Sequence, residues 1–150
     1  MTQPQNFAAD SFVSPELYTE IQQFYVRQLG LLDQTRIAEW AELFTEDAVF
    51  DQITGVALQG RDVIRKQVLD RADEVVEKGL DYFRHWLGML DVRPQDDGSL
   101  RVRAYSLAMH TPTGGALNIH ASVVMEDVLV RQDGGWKVSH RNLTLDGRPA

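Results

Sequence analysis

Apolar residues recur every three to four positions through the first half of this chain and every second position through the rest. That change of period predicts helices first and strands afterwards. Ser14-Pro15-Glu16 opens the first helix: Ser caps it, Pro fills a first-turn position that needs no N–H, and Glu complements the dipole. Leu17, Ile21, Phe24, Gln28 and Leu31 then lie close to one stripe, with Tyr25 at its edge; Gly30 weakens the end of the helix and Asp33 closes it. Thr35 is placed to cap a second, shorter helix in which Ile37, Trp40, Ala41 and Phe44 follow i, i+3, i+4, i+7 spacing. Thr45-Glu46-Asp47 breaks that pattern, and Ala48 to Ile53 predicts a short strand. Gly60-Arg61-Asp62 opens a third helix to about Lys78, with Val63, Ile64, Gln67, Val68, Ala72, Val75 and Val76 on a broad face and Gly79 as its C′ residue.

Beyond Gly79 the period is two. Phe83 to Arg93, Leu100 to Thr111, Ala116 to Arg131 and Trp136 to Leu145 read as strands. Asp96-Asp97-Gly98, Pro112-Thr113-Gly114-Gly115 and Asp133-Gly134-Gly135 separate them, and turns this short imply antiparallel hairpins. Helices followed by a meander indicate an α+β domain, three N-terminal helices packed on a curved, mostly antiparallel sheet. Residues 1–13, polar and rich in small side chains, read as a flexible arm before a single domain over 14–150.

Alternation sorts the strand residues into two faces. Phe83, His85, Leu87 and Met89 share one face of the first long strand, and Val102, Ala104, Ser106, Ala108 and His110 share one face of the second. Small residues beneath helices leave volume unfilled, which is how a cone-shaped sheet makes a pocket. On the next strand the apolar set Leu117, Ile119, Ala121, Val123 and Met125 is assigned to that pocket, and Asn118, His120, Ser122 and Val124 to the outer face. The outer face, with Trp86, Tyr105, Leu107 and Met109, is too apolar to be simply solvated and predicts a homo-oligomer contact.

Composition narrows the possibilities. The 150 residues are 43% hydrophobic and 25% charged, enough for one domain with a real core. A net charge of −7, with Lys and Arg scattered, argues against nucleic acid or anionic membrane as the main partner. Without cysteine there is no thiolate nucleophile, disulfide or thiolate-bound metal. The N-terminus lacks the basic and apolar regions of a secretory signal, and no apolar run reaches membrane-spanning length, so a cytoplasmic protein is expected.

Three polar residues occupy positions where apolar ones are expected: Asp33 between helical patterns, and His85 and His110 within strand runs. In one cavity they would form a carboxylate-oriented imidazole with a second imidazole nearby, an arrangement suited to proton transfer near neutral pH. Other readings stay open: His85 as a satisfied core histidine, His110 as an exposed strand end, and Asp33 as a helix terminator, although a carboxylate at that helix end opposes the dipole. Arg141 is out of phase with Trp136 and Val138, so it is a surface residue unless a bulge shifts the strand. His120 and His140 read as interface or surface residues. A metal triad is disfavoured because pairing with histidine occupies the carboxylate.

From about Pro15 to Leu145 the pattern resembles the nuclear transport factor 2-like superfamily. The residues that carry the likeness are the three helices, Leu58-Gln59-Gly60-Arg61-Asp62 at the third, and Gly135-Trp136-Lys137-Val138 in the last strand. Within that superfamily it is most similar to the branch of SnoaL-type polyketide cyclases, scytalone dehydratase and a hexachlorocyclohexane dehydrochlorinase. Leu32-Asp33 resembles the segment whose aspartate orients a catalytic histidine, and Phe83-Arg84-His85-Trp86-Leu87-Gly88 the strand that supplies that histidine as general base. His110 stands at the position of a second dehydratase histidine. Ser139-His140-Arg141-Asn142 resembles the dehydrochlorinase segment whose arginine stabilises a leaving anion. The departures count equally: Leu32 and Asp51 replace two water-holding tyrosines of the dehydratase, and Val123 and Met125 replace its serine and asparagine.

The resemblance implies an acid–base enzyme without a cofactor, a dehydratase, isomerase or polyketide-type cyclase for a small apolar or polycyclic substrate. Asp33, His85, His110 and Arg141 are its candidate catalytic residues, and Tyr25, Trp40, Asp51, Leu87, Ser106, Val123 and Met125 its candidate substrate contacts. The alternatives are a non-catalytic assembly subunit resembling a ring-hydroxylating dioxygenase β-subunit, and a small-molecule binding protein.

Overall fold

The computed structural model describes residues 12–52, 55–77 and 83–149. Two helices come first, α1 (Pro15–Asp33) and α2 (Ile37–Ala41), then β1 (Phe44–Asp51), β2 (Ala57–Gln59) and α3 (Arg61–Glu77). The long meander follows as β3 (Phe83–Pro94), β4 (Leu100–His110), β5 (Asn118–Gln132) and β6 (Gly135–Leu145). The strands form one six-stranded sheet in the order β2-β1-β6-β5-β4-β3. All neighbours are antiparallel except β1 and β6, which run parallel. The class is therefore α+β, with helices packed against a curved, open, mostly antiparallel sheet.

Ser14 caps α1 as its sequence suggests, its hydroxyl accepting the Leu17 N–H at 3.2 Å. The helix buries Ile21, Tyr25, Gln28 and Leu31. They pack with Ile37, Trp40, Phe44 and Phe50 over Val92, Val102, Met125, Leu129 and Val138 of the sheet. Trp40 meets Phe44 edge-on at 4.8 Å between centroids, which joins α2 to β1.

Several local expectations are corrected. Thr35 caps nothing: it lies at φ 57, and Arg36 is the residue that precedes α2. That helix ends at Ala41 and Phe44 already belongs to the sheet, so the strand expected from Ala48 begins at Phe44 and takes in Thr45-Glu46-Asp47. Strand β2 adds to the expected elements, since its three residues carry no periodic signal. Helix α3 packs by the narrow stripe Ile64, Val68 and Ala72, whereas Val63 and Val76 stand exposed. Ile53, Lys78, Gly79 and the arm up to residue 11 lie outside the described residues.

Bulges correct the face assignments. Between Gly88 and Asp91 strand β3 gains a residue over β4, and Met89 sits there at φ 55 and 78% exposed, away from the interior. On β5, Ala121 pairs with Ala108 but Ile119 pairs with Met109, which leaves His120 as the extra residue. Leu117 and Ile119 consequently face solvent instead of a pocket. On β6 the shift falls at Ser139, because His140 pairs with Val128 and Val138 with Leu129. It turns Arg141 inward, onto the side of Val138.

Candidate functional site

Asp33 is the last residue of α1, where the helix dipole disfavours a carboxylate. Its partners on β3 offset that cost. The His85 backbone N–H donates to Asp33 Oδ2 at 3.1 Å, and His85 Nδ1 lies 2.6 Å from Oδ1. One carboxylate thus grips both the backbone and the ring of the same residue. With the carboxylate ionised, Nδ1 carries the proton and Nε2 the lone pair. Among the described residues no hydrogen bond engages that Nε2. The side chains are 26% and 14% exposed, so the pair is sheltered yet open to a small molecule.

His85 pairs across the ladder with Ala108, which pairs in turn with Ala121. Leu87, Ser106 and Val123 form the next row inward. Ser106, Ala108 and Ala121 remain only partly buried, so the floor beside His85 is low and incompletely covered. Phe83 is opposite His110, and its ring is 5.6 Å from His85, 6.3 Å from His110 and 5.2 Å from His120 between centroids. His110 is not an exposed strand end: it is 5% exposed, and its Nε2 is buried with no partner among the described residues. His120 is exposed, as expected of a surface residue, but the β5 bulge brings its ring to 5.2 Å from Phe83 and 5.8 Å from His110.

Arg141 lies deep in the interior, in a different polar cluster. Its Nε and Nη2 donate to the two carboxylate oxygens of Asp127 at 2.9 and 2.8 Å, and Nη2 donates to Gln28 Oε1 at 2.6 Å. The Tyr25 hydroxyl donates to Asp127 Oδ2 at 2.8 Å. Burial and the neighbouring Asp127 charge raise the Tyr25 pKa well above its usual value, only partly countered by Arg141. Burial alone would lower the Arg141 pKa; the Asp127 carboxylate and its hydrogen bonds outweigh that effect and raise it. The two clusters share one helix: Gln28 and Asp33 are five residues apart on α1, about 7.5 Å of rise.

The remaining candidates divide by location. Trp40 stacks within the core and its Nε1 has no described partner; Val123 and Met125 are buried and Leu87 is partly buried against the core. Asp51 is corrected: it alternates with buried Phe50, and its carboxylate meets His140 Nε2 at 2.7 Å on the opposite, solvent side of the sheet. A surface groove along α1 and α2, lined by Val26, Arg27, Gly30, Gln34 and Glu39, contains none of the candidates. Among the described residues, no group of three or more His, Asp or Glu is placed to hold a metal ion. No described helix is long and apolar enough to cross a membrane.

Sequence reasoning missed Asp127 and the role of Gln28. A signal existed for Asp127, which falls between Met125 and Leu129 at interior parity, where an acid requires a partner.

Residues 14–142 match the SnoaL-like domain. The structure of Aln2 from a Streptomyces species is 31% identical and superposes with a TM-score of 0.83, covering 90% of this chain and 94% of that one. That of ActVI-ORFA from Streptomyces coelicolor is 28% identical with a TM-score of 0.84, over 91% and 100% of the two chains. In sequence, the anthranilate 1,2-dioxygenase small subunit of Burkholderia cepacia is 23% identical over 139 residues, 85% of each chain. The 3-phenylpropionate/cinnamic acid dioxygenase subunit beta of Photorhabdus laumondii is 46% identical over 50 residues, a match that spans 33% of this chain and only 28% of that subunit.

Proposed function

Because this chain belongs to the SnoaL-like domain family, we propose that it is an acid–base enzyme that removes a proton from carbon beside a carbonyl in a small apolar or polycyclic substrate. The observation that carries this reading is the 2.6 Å contact of Asp33 with His85 Nδ1, which leaves Nε2 unengaged among the described residues. Nε2 takes the proton, and the C–H electron pair moves toward the carbonyl oxygen as an enolate. His110, whose Nε2 has no partner among the described residues, donates to a second substrate oxygen, away from the reacting carbon. In a dehydration the enolate then expels a β-hydroxyl, which leaves as water with the proton returned from His85. In an isomerisation or an aldol-type cyclisation the proton goes back to carbon or to the new alkoxide. The half-open floor of Ser106, Ala108 and Ala121 suits a flat apolar skeleton. Arg141 contributes by shaping the interior, since Asp127 already engages its guanidinium through both carboxylate oxygens.

Positioned acid–base groups contribute about 10²–10⁴ in rate. Asp33→Asn and His85→Gln are each expected to lower kcat on hydroxylated polycyclic ketones by a factor in that range, with KM little changed. Retention of full kcat by both variants ends this reading. The exposed Trp86, Tyr105 and Ile119 belong to the outer face proposed to join copies of the chain.

A second reading, a non-catalytic subunit of a ring-hydroxylating dioxygenase, draws on the likeness to the two dioxygenase subunits. Native mass measurement separates the two. A stable homo-oligomer supports the enzyme, and recovery only with a larger iron-containing partner supports the subunit.

A further inference from the structure

We propose that His120 is a substrate-binding residue that acts with His110 to hold an acidic oxygen on a planar aromatic substrate, at the opposite end from His85. This rests on the acid–base reading above and adds to it a substrate class and a residue.

The backbone puts His120 in place. It is the extra residue of the β5 bulge, so it has left the regular alternation that would send it to the outer face. Its imidazole stands 5.2 Å from the Phe83 ring and 5.8 Å from that of His110, while Phe83 in turn stands 5.6 Å from His85. Three imidazoles therefore lie within 6.3 Å of one phenyl ring, His85 on the same strand as Phe83 and the other two across the sheet from it.

His110 and His120 differ in a useful way. His110 is buried, and its Nε2 has no hydrogen-bond partner among the described residues. A desolvated ring nitrogen in that condition calls for a hydrogen-bonding ligand. His120 is exposed and so lies toward the entrance, where a ligand arriving from solvent meets it first. An oxygen placed between them would satisfy the buried nitrogen and gain a second donor.

The spacing sets the ligand size. His85 and His110 are diagonal neighbours on paired strands, because His85 is opposite Ala108 and His110 opposite Phe83. Diagonal positions lie about 7–8 Å apart, the length of a fused bicyclic aromatic. Ala108, opposite His85 and two residues before His110, raises no side chain beyond Cβ, and Ala121 continues that low floor on β5, so a flat ring system can lie across it. Phe83 supplies an aromatic wall.

Fluorescence titration of the full chain carrying His85→Gln tests this without turnover. The probes are 2-naphthoate and the neutral 2-methylnaphthalene. Adding His120→Phe, which keeps the ring packing but removes the donor, is expected to weaken 2-naphthoate about tenfold or more while leaving 2-methylnaphthalene within about twofold. His120→Gln, which restores a donor, should recover much of that loss. An equal loss for both probes, no loss for 2-naphthoate, or no binding of either probe overturns the proposal. Should the His120 pattern hold while Asp33→Asn and His85→Gln retain turnover, the aromatic-acid site stands and the proton-abstraction reading fails.

Discussion

Arg141 and Asp127 are charges with side chains only 4% and 0% exposed, and each is tolerable because of the other. Removing one partner leaves an uncompensated ion in the core, which typically costs about 3–5 kcal/mol. Arg141→Leu should therefore be severely destabilising. Arg141→Leu combined with Asp127→Leu should recover much of the loss, because no stranded charge remains. Urea denaturation of the two single variants and the double variant closes the cycle, and additive losses would contradict the coupling. The residues legible in the sequence are those whose type clashes with their pattern. Asp33 and His85 stand out as polar groups amid apolar periods, and they meet at 2.6 Å. Asp127 offers the same clash, but the apolar members of its run mask it. Arg141 cannot be placed by phase, since its inward direction depends on one extra residue at Ser139.

At the scale of elements, the turns reward local chemistry. Asp133 and Gly134 join β5 to β6 with φ of 54 and 76, both in the left-handed region that a tight hairpin of the primed type requires. Nothing lies within 4 Å of a Cβ built on Gly134, so substitution there strains only the backbone. Gly134→Ala should cost about 1–2 kcal/mol. Gly30 is the contrast: it sits inside α1 without positive φ and also has open space around a built Cβ. Gly30→Ala should stabilise by about 0.4–1 kcal/mol through lost freedom in the unfolded chain. Thermal melts of the two variants should move in opposite directions. Strand positions and hairpin turns are readable because both are set by neighbours in sequence. Faces beyond each bulge are not: one inserted residue inverts all later parity, and no local signature marks the insertion.

For the molecule as a whole, the order of helices and meander announces an α+β domain, but the sheet's closure is hidden. The pairing of β1 with β6 is parallel and joins residues some ninety apart, as in Phe50 with Arg141, so no turn sequence records it. That pairing completes the interior in which Tyr25 is buried, and it gives the fold an alkaline limit. The folded-state pKa of Tyr25 is raised above about 10, the value of an unfolded tyrosine. Its contribution to stability is thus fully present below pH 10 and is lost as pH climbs toward the folded value. The loss can reach about 1.4 kcal/mol per pH unit. Tyr25→Phe has no proton to release and leaves Asp127 paired with Arg141, so it should flatten this slope. Denaturation at a series of pH values above 9 checks it; an unchanged slope would exclude Tyr25 as the source.

Helix α1 holds β3 through Asp33 and reaches β5 and β6 through Tyr25 and Gln28. It acts as a tie-rod across an open shell, fastened at the Asp33–His85 pair on one end and at the buried Arg141–Asp127 ion pair on the other. For evolution this means that the two clusters form one heritable unit. A lineage that shifts the helix to admit a new molecule must refit the buried anchor at the same time. Novelty should therefore come more easily from the loose side of the shell, where an inserted strand residue can bring in a side chain such as His120 without disturbing either fastening.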